Sequence, residues 1–164
     1  AQKLDVTAEN NYSLTVTDEN GCQNNAAFSV MVNALPTPTI SGDLSFCSDD
    51  SSTLTATAGF QSYLWNTGEI STDIQINSSG IYSLSVSDQL GCEGEAMVEV
   101  EVFDLPLPII TGDLQFCVGE STTLSVNDTY ESYQWSNGSN APFIIADATD
   151  TFSLIVTDEN GCTG

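Results

Sequence analysis

The chain has 164 residues, of which 23 are acidic and one, Lys3, is basic; histidine is absent and the formal net charge is -22. A surface this negative repels nucleic acid and anionic membranes, so we expect neither as a partner. No apolar run approaches the roughly 20 residues that span a bilayer, so we expect no membrane insertion. Without histidine, Ser-His-Asp and Cys-His catalytic groups are excluded, and no phosphate-binding loop or CxxC motif occurs, so we expect no enzymatic activity.

A segment near the start of the chain, YSLTVTDENGC at 12–22, recurs with small changes at 82–92 and 152–162. The last cysteines of successive copies are 70 positions apart (92 − 22 and 162 − 92). Such a period is typical of tandem domains, whose function comes from number and stiffness more often than from one pocket. The register predicts the C-terminal part of a first unit, a complete second unit, and a third unit without its last strand, over 1–33, 36–103 and 106–164. We expect the chain to be a segment of a longer protein.

Proline alternates with apolar or small residues in the two predicted linkers, ALPTP at 34–38 and DLPLP at 104–108. Proline restricts the backbone to extended conformations, so short linkers of this composition are stiffer than glycine- or serine-rich ones. We therefore expect neighbouring units to form a semi-rigid rod.

In the complete unit, apolar and polar residues alternate with a period of two, which is typical of strands that bury one face. The alternation is clearest over 53–58, 82–87 and 97–102, and shorter strands are predicted near 39–41, 62–66 and 72–77. No segment has the periodicity of a helix. The sequence therefore predicts an all-β chain of small antiparallel sandwiches.

The run SSGIYSLSV at 78–86 resembles the strand F of immunoglobulin domains, in which a corner tyrosine precedes the conserved cysteine by two residues. Here Tyr82 is the tyrosine and Leu84 takes the place of the cysteine. Leu54 takes the place of the strand B cysteine, eleven residues before Trp65. The predicted core of the third unit repeats the set, with phenylalanine replacing the corner tyrosine, at Leu124, Trp135, Phe152 and Leu154. The resemblance implies that both tryptophans pack in the core and do not stack on sugars.

The cysteines lie just outside these strands. Cys47 precedes strand B and Cys92 follows strand F, and we expect these strand ends to lie at the same pole of the sandwich. We therefore predict the disulfides Cys47–Cys92 and Cys117–Cys162, each stabilising its unit by about 4 kcal/mol through closure of the loop. Cys22 is then left to a partner outside the chain. Regular disulfides indicate an extracellular protein.

Calcium is the one cofactor that the sequence suggests. The turns DENG at 18–21 and 158–161 present oxygen ligands around a glycine, with Asp18, Asn20, Asp158 and Asn160 as candidates. The middle copy reads Asp88-Gln89-Leu90-Gly91, which favours a plain hairpin turn as the alternative. Further calcium candidates at the junctions between units are Asp43, Asp104 and Asp113.

The combined pattern resembles the immunoglobulin-like repeats of large secreted surface proteins of Bacteroidota. Its parts are a proline-rich lead, GDLxFC at 42–47 and 112–117, YxW followed by glycine, and the terminal YSLxVxDxxGC. Such repeats occur in gliding-motility adhesins of the SprB type and in other proteins exported by the type IX secretion system. The resemblance implies a cell-surface location and identifies no catalytic residue.

We therefore expect a structural and adhesive repeat segment of a bacterial surface adhesin or filament. Its partners would be neighbouring repeats of the same polypeptide and extracellular polysaccharide or other surface ligands. Two alternatives remain open. One is a carbohydrate- or ligand-binding module, which requires exposed aromatic side chains. The other is a subunit that polymerises by donating a strand to the next copy, a mode in which an added strand completes a sheet.

Overall fold

A computed structural model describes residues 3–164, so the first two residues of the predicted first unit lie outside the described range. Every regular element within that range is a β-strand, which confirms the all-β prediction. None of the described residues builds a helix that could cross a membrane. The strands are β1 (Asn10–Thr17), β2 (Gln23–Val30), β3 (Ile40–Ser41), β4 (Ser45–Cys47), β5 (Ser52–Ala56), β6 (Ser62–Trp65), β7 (Asp73–Ile76), β8 (Gly80–Ser87), β9 (Glu93–Phe103), β10 (Ile110–Thr111), β11 (Thr122–Val126), β12 (Ser132–Trp135), β13 (Phe143–Ala146) and β14 (Leu154–Thr157).

The first unit, residues 3–33, contains a single antiparallel hairpin of β1 and β2, paired from Asn10↔Val30 to Thr17↔Gln23. Tyr12 and Phe28 stack across it with ring centroids 5.8 Å apart. No second sheet among the described residues covers the hairpin, and its apolar side chains, such as Leu14 and Phe28, remain exposed.

The second unit, residues 36–103, is a sandwich of two sheets. One sheet has the order β3-β5-β7, and the other has the order β4-β9-β8-β6. All pairings are antiparallel except β4 with β9, which is parallel. In immunoglobulin terms, the first sheet holds strands A, B and E, and the second holds A′, G, F and C. The second unit is therefore an immunoglobulin-like β-sandwich.

Alternate residues of these strands fill the space between the sheets. In β5, three of five residues are buried and the two between them are exposed, which is the period-two pattern of a half-buried strand. The buried cluster includes all four predicted core residues, Leu54, Trp65, Tyr82 and Leu84. Strand β9 closes the core from the other sheet through Val100, which is 2% exposed.

The third unit, residues 106–164, repeats the pairing of the second with a shift of 70 positions. Leu54↔Ile74 recurs as Leu124↔Ile144, and Trp65↔Leu84 recurs as Trp135↔Leu154. Its buried cluster is smaller, and the predicted core residues Phe152 and Leu154 are only half-buried against it. Residues equivalent to β9 would be numbered from 163, so just two of them belong to the chain. The side chains that β9 would cover are therefore open.

Candidate functional site

Both tryptophans are structural. Trp65 is 1% and Trp135 is 2% exposed. Each indole N–H donates a 2.9 Å hydrogen bond to a backbone carbonyl six residues later, that of Ser71 and of Ala141 respectively. A ring enclosed in this way presents no face to a sugar. The carbohydrate-binding alternative therefore lacks a tryptophan platform in the described residues.

The corner tyrosine closes the start of strand β8. The Tyr82 hydroxyl donates to the carbonyl of Ser78 at 3.0 Å, and the equivalent Tyr12 donates to the carbonyl of Ala8 at the same distance. Phe152 has no hydroxyl and makes no such bond. The tyrosine corner therefore exists in the first two units and is missing from the third.

The turn between β8 and β9 holds Cys92 in a fixed position. The carboxylate of Asp88 accepts hydrogen bonds from the backbone N–H groups of Leu90 and Cys92, at 2.8 and 2.9 Å. Gly91 takes a left-handed φ of 80°, which side chains disfavour. The same bonds and glycine conformation recur in the two DENG turns, at Asp18, Asn20, Gly21 and Cys22, and at Asp158, Asn160, Gly161 and Cys162.

These turns explain the aspartates without a metal ion. Asp18 and Asp158 use the same oxygen as Asp88 to shape the turn, although the middle copy has leucine where the others have asparagine. Asn20 and Asn160 contribute backbone N–H groups to it. Within residues 3–164, no three His, Cys, Asp or Glu side chains come together as a metal-binding group. The remaining calcium candidates, Asp43, Asp104 and Asp113, are all exposed.

One disulfide joins the second unit to the third. Cys47 is bonded to Cys162, with a Cα–Cα distance of 5.7 Å and a separation of 115 positions. Cys22, Cys92 and Cys117 are free thiols. The predicted pairings Cys47–Cys92 and Cys117–Cys162 are therefore wrong in the structure.

The direction of the strands explains this correction. Strand β4 runs parallel to β9 and places Cys47 opposite Phe103, the last residue of β9. Cys92 directly precedes Glu93, the first residue of β9. A strand of 11 residues is about 35 Å long at roughly 3.3 Å per residue. Disulfides require Cα atoms within about 7 Å, so two cysteines at opposite poles of one sandwich cannot pair.

The linker at 104–108 brings Cys47 and Cys162 together. On one side, the backbone N–H of Ser48 donates to the carbonyl of Phe103 at 2.8 Å, which fixes Cys47 beside the end of β9. On the other side, Gly164 packs so closely on Pro106 that a Cβ atom would overlap the proline carbonyl. The C-terminal pole of the second unit and the turn of the third therefore face each other across the linker.

The close glycine–proline contact was not predicted from the sequence. Gly94 packs on Pro36 in the same way as Gly164 packs on Pro106, two residues after the turn cysteine in each case. The recurrence of glycine at this position in the second and third copies could have indicated a close contact, although the first copy has Asn24 there.

Cys92 is the least exposed of the three free thiols. Burial raises its pKa above the ordinary value of 9.0, and the negative charge of Asp88 and the hydrogen bond that the thiol donates to the Asp88 carboxylate add to the increase. The Cys92 thiol is therefore less reactive at neutral pH than an isolated thiol, because the thiolate is the nucleophile.

An open groove of about 790 Å³ lies in the third unit, where β9 lies in the second. Apolar side chains line much of it, including Ile110, Leu114, Phe116, Val118 and Phe152. In the second unit, the equivalent segment forms β4 and pairs with β9, whereas Gln115, Phe116 and Cys117 form no strand. The groove therefore has the place and character of a site for a β9-like strand.

The strand order defines the class of the second unit as immunoglobulin-like. Among solved structures, the chain is similar to the crystal structure of murine CEACAM1b, with a TM-score of 0.39 and 14% identity, covering 74% of this chain and 92% of that one. No protein-family model and no curated protein matches the sequence.

Proposed function

We propose that this chain is a segment of a tandem array of immunoglobulin-like units in an extracellular bacterial surface protein, where the units act as stiff structural and adhesive repeats. The Cys47–Cys162 disulfide carries the proposal, because it ties one unit to the next across the linker. A polypeptide connection alone leaves two domains free to reorient. A second covalent connection on the other side of the linker removes most of that freedom.

The contact of Gly164 with Pro106 holds the second half of the linker against the third unit, so little free linker remains between the two units. Short proline-containing linkers are already extended, so bending between the units would have to strain the disulfide bond. A short linker with a disulfide across it supports a semi-rigid rod built from 70-residue units.

The chemistry of the chain supports an extracellular place for this rod. Disulfides persist in oxidising compartments and are rare in the cytosol. The negative charge of -22 favours solubility and discourages self-association of exposed apolar strands. The resemblance to repeats of SprB-type adhesins and type IX secretion substrates supports the surface of a bacterial cell, with extracellular polysaccharide or other surface ligands as targets. Catalysis is not part of this proposal.

Labelling of intact cells tests the location and the adhesive role. An antibody against the chain should label producing cells without permeabilisation, and deletion of the parent gene should reduce attachment to a surface. Labelling only after permeabilisation would overturn the proposal.

Small-angle scattering tests the rod. The oxidised chain should give one extended shape with a narrow distance distribution, and a reductant should broaden the distribution. A C47S/C162S variant that gives the oxidised wild-type profile would show that the disulfide does not stiffen the junction.

Assembly by strand donation is a second candidate, because the groove of the third unit is apolar and open. In the register of the second unit, a β9-like strand from a second copy would place a residue equivalent to Val102 beside Phe116 and one equivalent to Val98 beside Phe152. Sedimentation over a wide concentration range tests this alternative. Strand donation predicts oligomers that a peptide with the sequence of β9 (Glu93–Phe103) disperses, whereas a control peptide with V98D and V100D does not. A chain that stays monomeric at all concentrations would eliminate it.

A further inference from the structure

The free cysteines occupy the two kinds of position that the disulfide joins. Cys117 lies 70 positions after Cys47, at the C-terminal pole of its unit (117 − 47). Cys92 and Cys22 lie 70 and 140 positions before Cys162, in equivalent turns (162 − 92 and 162 − 22). The chain therefore contains one disulfide between units and three free cysteines, each of which occupies a position equivalent to one of the two bonded cysteines.

The free Cys117 has the same local backbone geometry as its bonded equivalent, Cys47. The turn after Cys47 is closed by a 2.9 Å hydrogen bond from the N–H of Asp50 to the Cys47 carbonyl. The turn after Cys117 has the same bond, 3.0 Å long, from the N–H of Glu120. This local turn does not depend on the disulfide, because Cys117 has it as a free thiol.

The turn that holds the free Cys92 has the same geometry as the turn that holds the bonded Cys162. Both cysteines donate a backbone hydrogen bond to the aspartate four residues earlier. Both precede by two residues a glycine that packs on a linker proline, Gly94 on Pro36 and Gly164 on Pro106. The turn of the second unit therefore lies against the linker that precedes that unit, and the turn of the third unit lies against the linker that precedes the third.

The free cysteines cannot complete these connections with one another. The bonded pair is 115 positions apart. The separations among Cys22, Cys92 and Cys117 are 70, 25 and 95 positions (92 − 22, 117 − 92 and 117 − 22). No pair of free cysteines therefore has the separation of 115 positions that the bonded pair has. Each therefore requires a cysteine of another unit.

We propose that every junction of the array is closed by one such disulfide: Cys117 bonds the turn cysteine of a following unit, and Cys92 and Cys22 each bond the β4-type cysteine of a preceding unit. This inference rests on the proposed tandem array and names its covalent connections. Each complete unit then contributes one cysteine to each of its two junctions and needs none within its own sandwich.

Formation of the bond requires a disulfide oxidant, for which oxidised glutathione serves in the test. The Cys117 thiolate attacks one sulfur of the oxidant and releases one glutathione thiolate. The turn-cysteine thiolate then attacks the Cys117 sulfur of the mixed disulfide and releases the second. Two protein thiols thus lose two electrons and two protons, and the oxidant is reduced to two molecules of glutathione.

A chain lengthened by one unit tests the proposal. Residue 164 is equivalent to residue 94, so residues 95–164 are appended after Gly164 to continue the register. The lengthened chain has seven cysteines, because the appended segment carries copies of Cys117 and Cys162. After equilibration in glutathione buffer, we expect three free thiols and a disulfide between Cys117 and the appended copy of Cys162.

The original Cys47–Cys162 bond serves as the internal control for folding. A lengthened C117S variant should keep that bond and leave the appended copy of Cys162 free. The proposal is overturned if Cys117 stays free in the lengthened chain, giving five free thiols, or if it bonds any other cysteine. If the scattering profile is extended but Cys117 is free, the proposed disulfide at every junction is wrong, whereas the proposed tandem array is still supported.

Discussion

Tyr82 and Phe152 occupy equivalent positions and differ by a single hydroxyl group, which makes the tyrosine corner a natural comparison within one chain. The Tyr82 hydroxyl spans four residues to the carbonyl of Ser78. The carbonyl of Ala148 is the equivalent acceptor for the third unit. Phe152 leaves it without this partner.

The hydroxyl should stabilise the unit that carries it. Y82F should lower the free energy of unfolding by about 1 kcal/mol, the typical contribution of one hydrogen bond within a protein. F152Y should raise it, provided that the new hydroxyl reaches the Ala148 carbonyl. Urea unfolding followed by near-ultraviolet circular dichroism measures both changes. Equal stability of wild type and Y82F would show that the corner bond contributes nothing.

The thiol of Cys92 should respond to the charge of its neighbour. Asp88→Asn removes the negative charge but keeps an oxygen that can accept the turn hydrogen bonds, so the Cys92 pKa should fall and alkylation at a fixed pH should become faster. The pH dependence of iodoacetamide labelling, read by mass spectrometry, gives the midpoint, with Cys117 in the same protein as the reference. An unchanged Cys92 midpoint would contradict a role for Asp88.

The same raised pKa couples the stability of the fold to pH. The folded state holds the Cys92 proton more tightly than an unfolded chain does. The resulting stabilisation is fully present below the ordinary thiol value of 9.0 and is lost as the pH rises through the higher pKa of the folded state.

Among the elements, the long alternating strands could be predicted from the sequence and the short parallel strand could not. The segments predicted over 53–58, 82–87 and 97–102 overlap β5, β8 and β9. Strand β4 has three residues, too few to show a period of two, and its parallel pairing depends on the distant β9. Because β4 carries Cys47, missing it placed this cysteine at the wrong pole and produced the wrong disulfide prediction.

The glycine in β9 is a second element that depends on a distant contact. Gly94 lies under the Pro36 carbonyl, and a Cβ atom there would overlap that backbone group. Gly94→Ala should therefore force the linker away from β9 and cost about 1–3 kcal/mol, as overpacking does elsewhere. Thermal unfolding compares this variant with Glu95→Ala, an exposed neighbour that should change the stability by less than about 0.5 kcal/mol. Equal melting temperatures for the two variants would contradict the close contact.

At the scale of the whole molecule, strand pairs of the second unit recur in the third at the 70-residue spacing of the sequence. It could not predict how successive units face each other. That arrangement depends on where Phe103 leaves the second unit and where Pro106 meets Gly164, and neither contact has a signature in hydrophobic periodicity. The cysteines could be recognised as paired by spacing, but the choice of partner required the geometry of the junction.

The central claim is that the disulfide connects neighbouring units and does not lie within one. Digestion of the alkylated, unreduced chain with an acid-specific protease, followed by mass spectrometry, tests it most directly, because the chain has a single basic residue and 23 acidic ones. We predict a linked pair of peptides that contain Cys47 and Cys162, with Cys22, Cys92 and Cys117 alkylated. Linked peptides that contain Cys47 with Cys92, or Cys117 with Cys162, would contradict it.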